Sequence, residues 1–204
     1  MPKVVLTYFP VKGIAESIRM LLAYGGQEFE DIRIPQDQWP EYKPKTPFGQ
    51  LPVLEIDGKT LTQSISIARY LGHKYNLAGA NIDENFEIDQ NIEYFNDLRY
   101  KLGAVAYESD PELKKKKHEE NWKEVYPTML KRIHDILVKN NGHVALGKLT
   151  WGDFVIAGIW EAIKWMLQKP DLDTQYPAFK QLTDKVRSLP KVKEWVAKAP
   201  VTEF

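Results

Sequence analysis

Between Lys3 and Leu71 the hydrophobic pattern alternates between two periods. Lys3 to Phe9 is a β-rich run closed by Pro10, which predicts a first strand. Ile14, Ile18, Leu21 and Leu22 then recur at i, i+4, i+7 and i+8, one face of a helix that Gly25-Gly26 stops. Glu28 to Ile34, carrying Phe29, Ile32 and Ile34, predicts a second strand, so the chain opens β-α-β, parallel and right-handed. Pro35, Pro40, Pro44 and Pro47 make the next segment a loop with one helical turn near Trp39. Val53 to Ile56 and Lys59 to Thr62 flank Asp57-Gly58, a two-residue hairpin signal. Ile65, Ala68 and Leu71 mark a helix that starts at Gln63-Ser64.

The second half of the chain holds helical periods only. Small and polar residues interrupt the pattern around Tyr75 to Glu84, which places the boundary there: a first domain over 1–76, a linker over 77–84 and an all-α domain over 85–204. Ile88, Ile92 and Phe95 run on toward Leu98 and Leu102. Leu130, Ile133 and Leu137 mark an amphipathic helix in which Pro127 predicts a kink or a restart. Thr150 with Asp153 reads as a capping box ahead of the apolar run from Phe154 to Trp165. The expected fold is α/β plus all-α, with a β-α-β-β-β-α first domain of thioredoxin-like order.

Composition narrows the chemistry more than the fold. Lys+Arg and Asp+Glu both number 28, so no net field favours nucleic acid or an anionic membrane, and no run is long enough to span a bilayer. The start of the chain has no signal-peptide pattern, which makes the cytoplasm the expected compartment. Cysteine is absent, which excludes disulfides, thiolate metal sites and a Cys-x-x-Cys redox centre. Any sulfur chemistry must come with the substrate. The four histidines show no metal spacing, and no metal is assigned.

Candidate chemistry gathers at the strand ends and the turn before the hairpin. Pro52, set immediately before an apolar strand, is a candidate cis peptide. Ser64 opens a helix whose first N–H groups are free to hold an anion. Tyr8 ends the first strand, at the sheet edge where ligands bind in layered α/β folds, and its hydroxyl can donate to a thiolate. On spacing alone Tyr8 reads first as an aromatic in a strand, Trp39 as a packing anchor and Lys43 as a solvated charge.

Taken together, Pro47-Phe48-Gly49-Gln50-Leu51-Pro52-Val53-Leu54-Glu55, then Gln63-Ser64, then Ile67 to Leu71 resembles glutathione transferases of the sigma class, insect-like and over essentially the whole chain. Tyr8-Phe9 followed by Gly13-Ile14-Ala15-Glu16 is similar to the family's tyrosine, loop and helix start. The resemblance implies Tyr8 as the thiol-activating residue. It implies Trp39, Lys43 and Gln50 at the glycine end of glutathione, Leu51 with Pro52 at its cysteinyl unit and Gln63 with Ser64 at its γ-glutamyl end. Asp97 is implied to reach the γ-glutamyl ammonium across a homodimer interface. The hydrophobic-substrate pocket is expected between the domains, lined by Phe9, Ile14, Tyr107 and Phe204.

The implied function is conjugation of reduced glutathione, a co-substrate rather than a cofactor, to hydrophobic electrophiles such as lipid-oxidation aldehydes and aryl halides. Peroxidase activity on organic hydroperoxides could accompany it. A glutathione-dependent prostaglandin isomerase and a non-catalytic binding or structural protein remain alternatives. Two departures stand out. Ile14 occupies a position where many sigma members carry an arginine, so a cation near the thiol is expected to be missing and the pocket more apolar. Asn96 stands where vertebrate prostaglandin D synthases of this class place a magnesium-binding acid, and an amide is a poor ligand for a hard cation.

Overall fold

The computed structural model describes residues 3–202. Its first unit is a four-stranded sheet in the order β2-β1-β3-β4, built from β1 (Val5–Tyr8), β2 (Glu30–Arg33), β3 (Val53–Ile56) and β4 (Lys59–Thr62). β1 pairs parallel with β2 and antiparallel with β3, and β3 pairs antiparallel with β4. α1 (Glu16–Tyr24) makes the β-α-β crossover, preceded by a 3-10 turn over Gly13–Ala15. Asp57 and Gly58 both have positive φ, 52° and 72°, as a tight two-residue hairpin turn requires. The turn near Trp39 is α2 (Trp39–Tyr42), between 3-10 turns at Gln36–Gln38 and Lys43–Lys45, and α3 (Ser64–Lys74) closes the unit. The Leu51–Pro52 peptide is cis.

All later elements among the described residues are helical: α4 (Ile82–Ala106), α5 (Pro111–Lys139), α6 (Trp151–Leu167), α7 (Leu172–Gln175), α8 (Pro177–Ser188) and α9 (Pro190–Lys198). α4 begins ahead of position 85 because Asn81 caps it: the Asn81 side chain accepts from Glu84 N–H at 3.0 Å, and Glu84 reaches back to Ala80 N–H at 2.8 Å. α5 runs unbroken through Pro127, where the pattern predicts a kink or restart. The i−4 bond that Pro127 forgoes falls on the carbonyl of Lys123, an exposed residue, so solvent can take the missing donor's place.

The capping box at Thr150 forms as expected. Asp153, fully buried, accepts from Thr150 N–H at 2.7 Å and from Val144 N–H at 2.7 Å, which ties the preceding loop to the start of α6. α6 is buried nearly all round and forms the spine of the helical unit. It also packs on the first unit, against α1 and α3. That approach is close: a Cβ at Gly158 would lie 2.6 Å from the backbone nitrogen of Ser17, and a Cβ at Gly72 would lie 2.5 Å from the Trp151 ring.

Replacing Gly158 by Ala therefore forces α6 away from α1 rather than displacing a flexible side chain. Gly158→Ala is expected to destabilise the fold by about 1–3 kcal/mol, read as a lowered denaturation midpoint, despite alanine's better helix propensity.

Candidate active site

A cavity of about 540 Å³ opens where the β1–α1 loop, the turn before β3 and the start of α3 face α4. Trp39, Gln50, Leu51, Pro52, Gln63 and Ser64, six of the residues singled out in the sequence, line it together. Gln63 carries a φ of 67°, unusual for a residue with a side chain, and a strained backbone of this kind is characteristic of ligand clamps. Its amide Nε2 donates to Gln50 Oε1 at 2.9 Å. The structure thus brings into direct contact two side chains that the resemblance assigns to opposite ends of glutathione. Ser64 is the first residue of α3, so the free N–H groups of that helix point toward the same cavity.

Tyr8 stands just behind this wall. It is buried to 9% exposure, its sequence neighbour Phe9 lines the cavity, and Ile14 lines it from across the loop. The Tyr8 hydroxyl lies against Gly13: a Cβ there would sit 2.8 Å from the phenol oxygen, and Gly13 has a φ of 46°. Burial pushes the phenol above its ordinary value of 10. The Ile14 backbone N–H, hydrogen-bonded to the phenol oxygen, pulls the other way, the neighbouring Tyr107 adds to the rise, and the charges of Arg19 and Arg99 oppose it. The phenol is therefore held protonated, as a donor.

An apolar crevice leads from Gly13 and Ile14 into the space between the domains, walled by Phe95 of α4 and by Val155 and Ile159 of α6. Arg99 lines both the crevice and the larger cavity. This corrects the expectation of a missing cation: Ile14 supplies none, but Arg99 does so from α4. Its Nε donates to Asn96 Oδ1 at 2.8 Å, and its guanidinium lies over the Tyr100 ring at 4.3 Å. Asn96, 7% exposed, thereby orients the cation. In the sequence Arg99, two residues from the exposed Asp97, looks like an ordinary helix-surface charge. Its spacing to the buried positions Phe95 and Leu102 was the available signal.

Other expectations fall outside these walls. Tyr107, expected in the pocket, lines neither space; it follows the last residue of α4 and is 75% exposed, near enough to Tyr8 to act on it electrostatically. Lys43 is exposed, its stem 3.3 Å from where a Gly49 Cβ would lie, beside the rim rather than in it. Asp97 is exposed on α4 and is not part of the cavity wall that its neighbour Asn96 lines. Phe204 lies outside the described residues.

Residues 4–73 match the family model of the glutathione S-transferase N-terminal domain, and residues 96–199 match that of the C-terminal domain. The chain belongs to the glutathione S-transferase family. It is 55% identical to glutathione S-transferase 2 of Manduca sexta over 204 residues, the full length of both. It is 35% identical over 206 residues to the hematopoietic prostaglandin D synthase of Rattus norvegicus, again with full coverage of both chains. Among solved structures, prostaglandin synthase D of Nilaparvata lugens superposes with a TM-score of 0.92 at 44% identity, covering 98% of this chain and all of that one. As a glutathione S-transferase the chain is an enzyme whose substrate is glutathione.

The electrostatics of Tyr8 give a direct test. In a phenolate absorbance titration of the ligand-free enzyme, the difference between wild type and Tyr8→Phe should appear above pH 10, the ordinary tyrosine value. A Tyr8 signal near neutrality would show that the phenol is not held as a donor.

Proposed function

We propose that this chain is a sigma-class transferase that binds reduced glutathione in the cavity along α3 and ionises its thiol against Tyr8. A free thiol titrates at about 8.5, so a hydrogen bond to the ionised form raises the thiolate fraction at neutral pH. Tyr8 donates its O–H to the sulfur. The Ile14 N–H, donating to the phenol oxygen, strengthens that donor. Gln63, Ser64 and the first N–H groups of α3 take the γ-glutamyl carboxylate, Leu51 offers its backbone to the cysteinyl unit, and Trp39 with Lys43 flanks the glycine end. Gln50 acts by orienting Gln63. The thiolate then faces the Gly13–Ile14 corner, where a hydrophobic electrophile is held close to it in the part of the 540 Å³ cavity lined by Phe9, Ile14 and Tyr100, at the mouth of the narrow apolar crevice. The observation that carries this reading is the convergence of the polar cavity and the apolar crevice on the Gly13–Ile14 corner beside the Tyr8 hydroxyl.

Unsaturated lipid aldehydes and aryl halides suit such a pocket, and the same thiolate can attack the oxygen of an organic hydroperoxide. Asp97, exposed beside the cavity, is free to serve a second copy, which fits a homodimer in which each site is completed by its partner. The cytoplasm fits a reaction that needs reduced glutathione. A second reading, glutathione-dependent isomerisation of a prostaglandin endoperoxide, is favoured by the likeness to the Nilaparvata lugens and rat synthases. It would use the same thiolate, with Arg99 available to meet an acidic substrate.

Steady-state kinetics with an aryl halide, an unsaturated aldehyde, a hydroperoxide and a prostaglandin endoperoxide separate these readings. Tyr8→Phe should lower kcat/KM for conjugation by about 10²-fold or more. Ser64→Ala should instead raise the KM for glutathione roughly tenfold with little change in kcat. Activity that survives Tyr8→Phe unchanged would reject the mechanism, and turnover of the endoperoxide alone would favour the isomerase.

A further inference from the structure

Beneath the β1–α1 loop lies a set of buried charges that the mechanism above leaves unused. Arg19 is fully buried. Its Nε donates to Asp31 Oδ1 at 3.0 Å, and its Nη1 donates to Glu16 Oε2 at 3.1 Å and to the backbone carbonyls of Val11 at 3.0 Å and Lys12 at 3.1 Å. Asp31 also accepts from Arg33 Nε at 2.8 Å, and Glu16 Oε1 accepts from Trp195 Nε1 of α9 at 3.3 Å. Two guanidinium groups thus face two carboxylates with no net charge. Burying such a cluster is a poor way to gain stability, since well-packed apolar residues often do as well or better. Its use lies in the geometry that it imposes.

That geometry ends at Tyr8. Val11 and Lys12 lead directly into Gly13, whose backbone lies against the Tyr8 hydroxyl, and the Arg19 guanidinium carbon is 5.9 Å from the centre of the Tyr8 ring. We propose that Arg19 is a positioning residue for thiol activation: anchored to Asp31 through Nε, it donates from Nη1 to the Val11 and Lys12 carbonyls and so keeps the Gly13–Ile14 backbone seated on the Tyr8 hydroxyl. This rests on the reading of Tyr8 as the group that ionises the thiol. A planar fork can serve Asp31, Glu16 and two carbonyls together, whereas an ammonium is a single point of charge. Hydrogen bonds weaken steeply with misalignment, so a loosened loop costs the phenol its donor before it costs the fold its stability. The charged and titratable groups that face Tyr8 are Arg19 from α1, and Arg99 and Tyr107 from α4 and its end.

The test compares the apparent pKa of the bound glutathione thiol, read from thiolate absorbance, in wild type, Arg19→Lys, Arg33→Met and Tyr8→Phe. Arg33 shares Asp31 with Arg19, whereas the bonds to the Val11 and Lys12 carbonyls come from Arg19, so Arg33→Met reports loss of the cluster's stability alone. Arg19→Lys should raise the bound-thiol pKa by about one unit, a roughly tenfold loss of thiolate below that pKa, with the KM for glutathione unchanged. Arg33→Met should titrate as wild type. If Arg19→Lys also titrates as wild type while Tyr8→Phe is raised, Arg19 does not position the loop and the Tyr8 reading stands. If Arg33→Met shifts the thiol as far as Arg19→Lys does, the role is merely structural and the proposal is overturned. If Tyr8→Phe behaves as wild type, both readings fall. Should Arg19→Lys not fold, hydrogen exchange of the wild type decides. The Gly13 and Ile14 amides must exchange as slowly as those of α1, and the fast exchange of a free loop would overturn the proposal.

Discussion

A helix from each unit has to lie flush against the other for this molecule to have a site at all. α1 of the sheet unit and α6 of the helical unit meet where Gly158 leaves no room beyond the backbone of Ser17. α1 carries the buried Arg19 and leads out of the loop that faces Tyr8; α6 presents Val155 and Ile159. Their separation therefore sets both the width of the apolar crevice and the seat of the Gly13–Ile14 loop. The capping box at Thr150 and Asp153 matters for the same reason. It fixes where α6 begins, and with it the register of every side chain that α6 offers to the crevice.

Within that frame the site divides its labour by polarity. The sheet unit supplies amides, a helix N-terminus and one phenol, which suit a small anionic peptide. The helical unit supplies the apolar wall and Arg99. Tyr8 sits at the seam, and the influences on its phenol act in opposite directions: burial holds the proton on, while the Ile14 N–H and the two arginines favour charge on the oxygen. A donor that stays protonated yet is polarised by a neighbouring N–H suits stabilisation of a thiolate without losing its own proton.

The parts legible in the sequence are those whose causes are local. The Asp57-Gly58 hairpin, the cis bond before Pro52, the Gln63-Ser64 helix start and the Thr150 cap each follow from two to four adjacent residues, and each is present. Tyr8, by contrast, reads as a plain strand aromatic until its surroundings are known. Arg19, Val155 and Ile159 were beyond reach because their roles depend on contacts between distant segments. Arg19 has the spacing of a helix residue and the burial of a core one, a combination that no periodic pattern reveals. Tyr107 failed in the other direction: an aromatic near the end of a helix was expected inside the pocket, and α4 ends so that the side chain is left outside. Pro127 is tolerated because the carbonyl it leaves without a donor belongs to an exposed residue.

The central claim is positional: the glutathione sulfur lies beside the Tyr8 hydroxyl with the rest of the peptide along α3. The most direct measurement is a crystal structure of the enzyme with glutathione bound. The account predicts the sulfur within about 3.3 Å of the Tyr8 oxygen and the γ-glutamyl carboxylate at Ser64. A sulfur directed away from Tyr8, or a peptide lying in the opposite sense with its glycine end at Ser64, would contradict it.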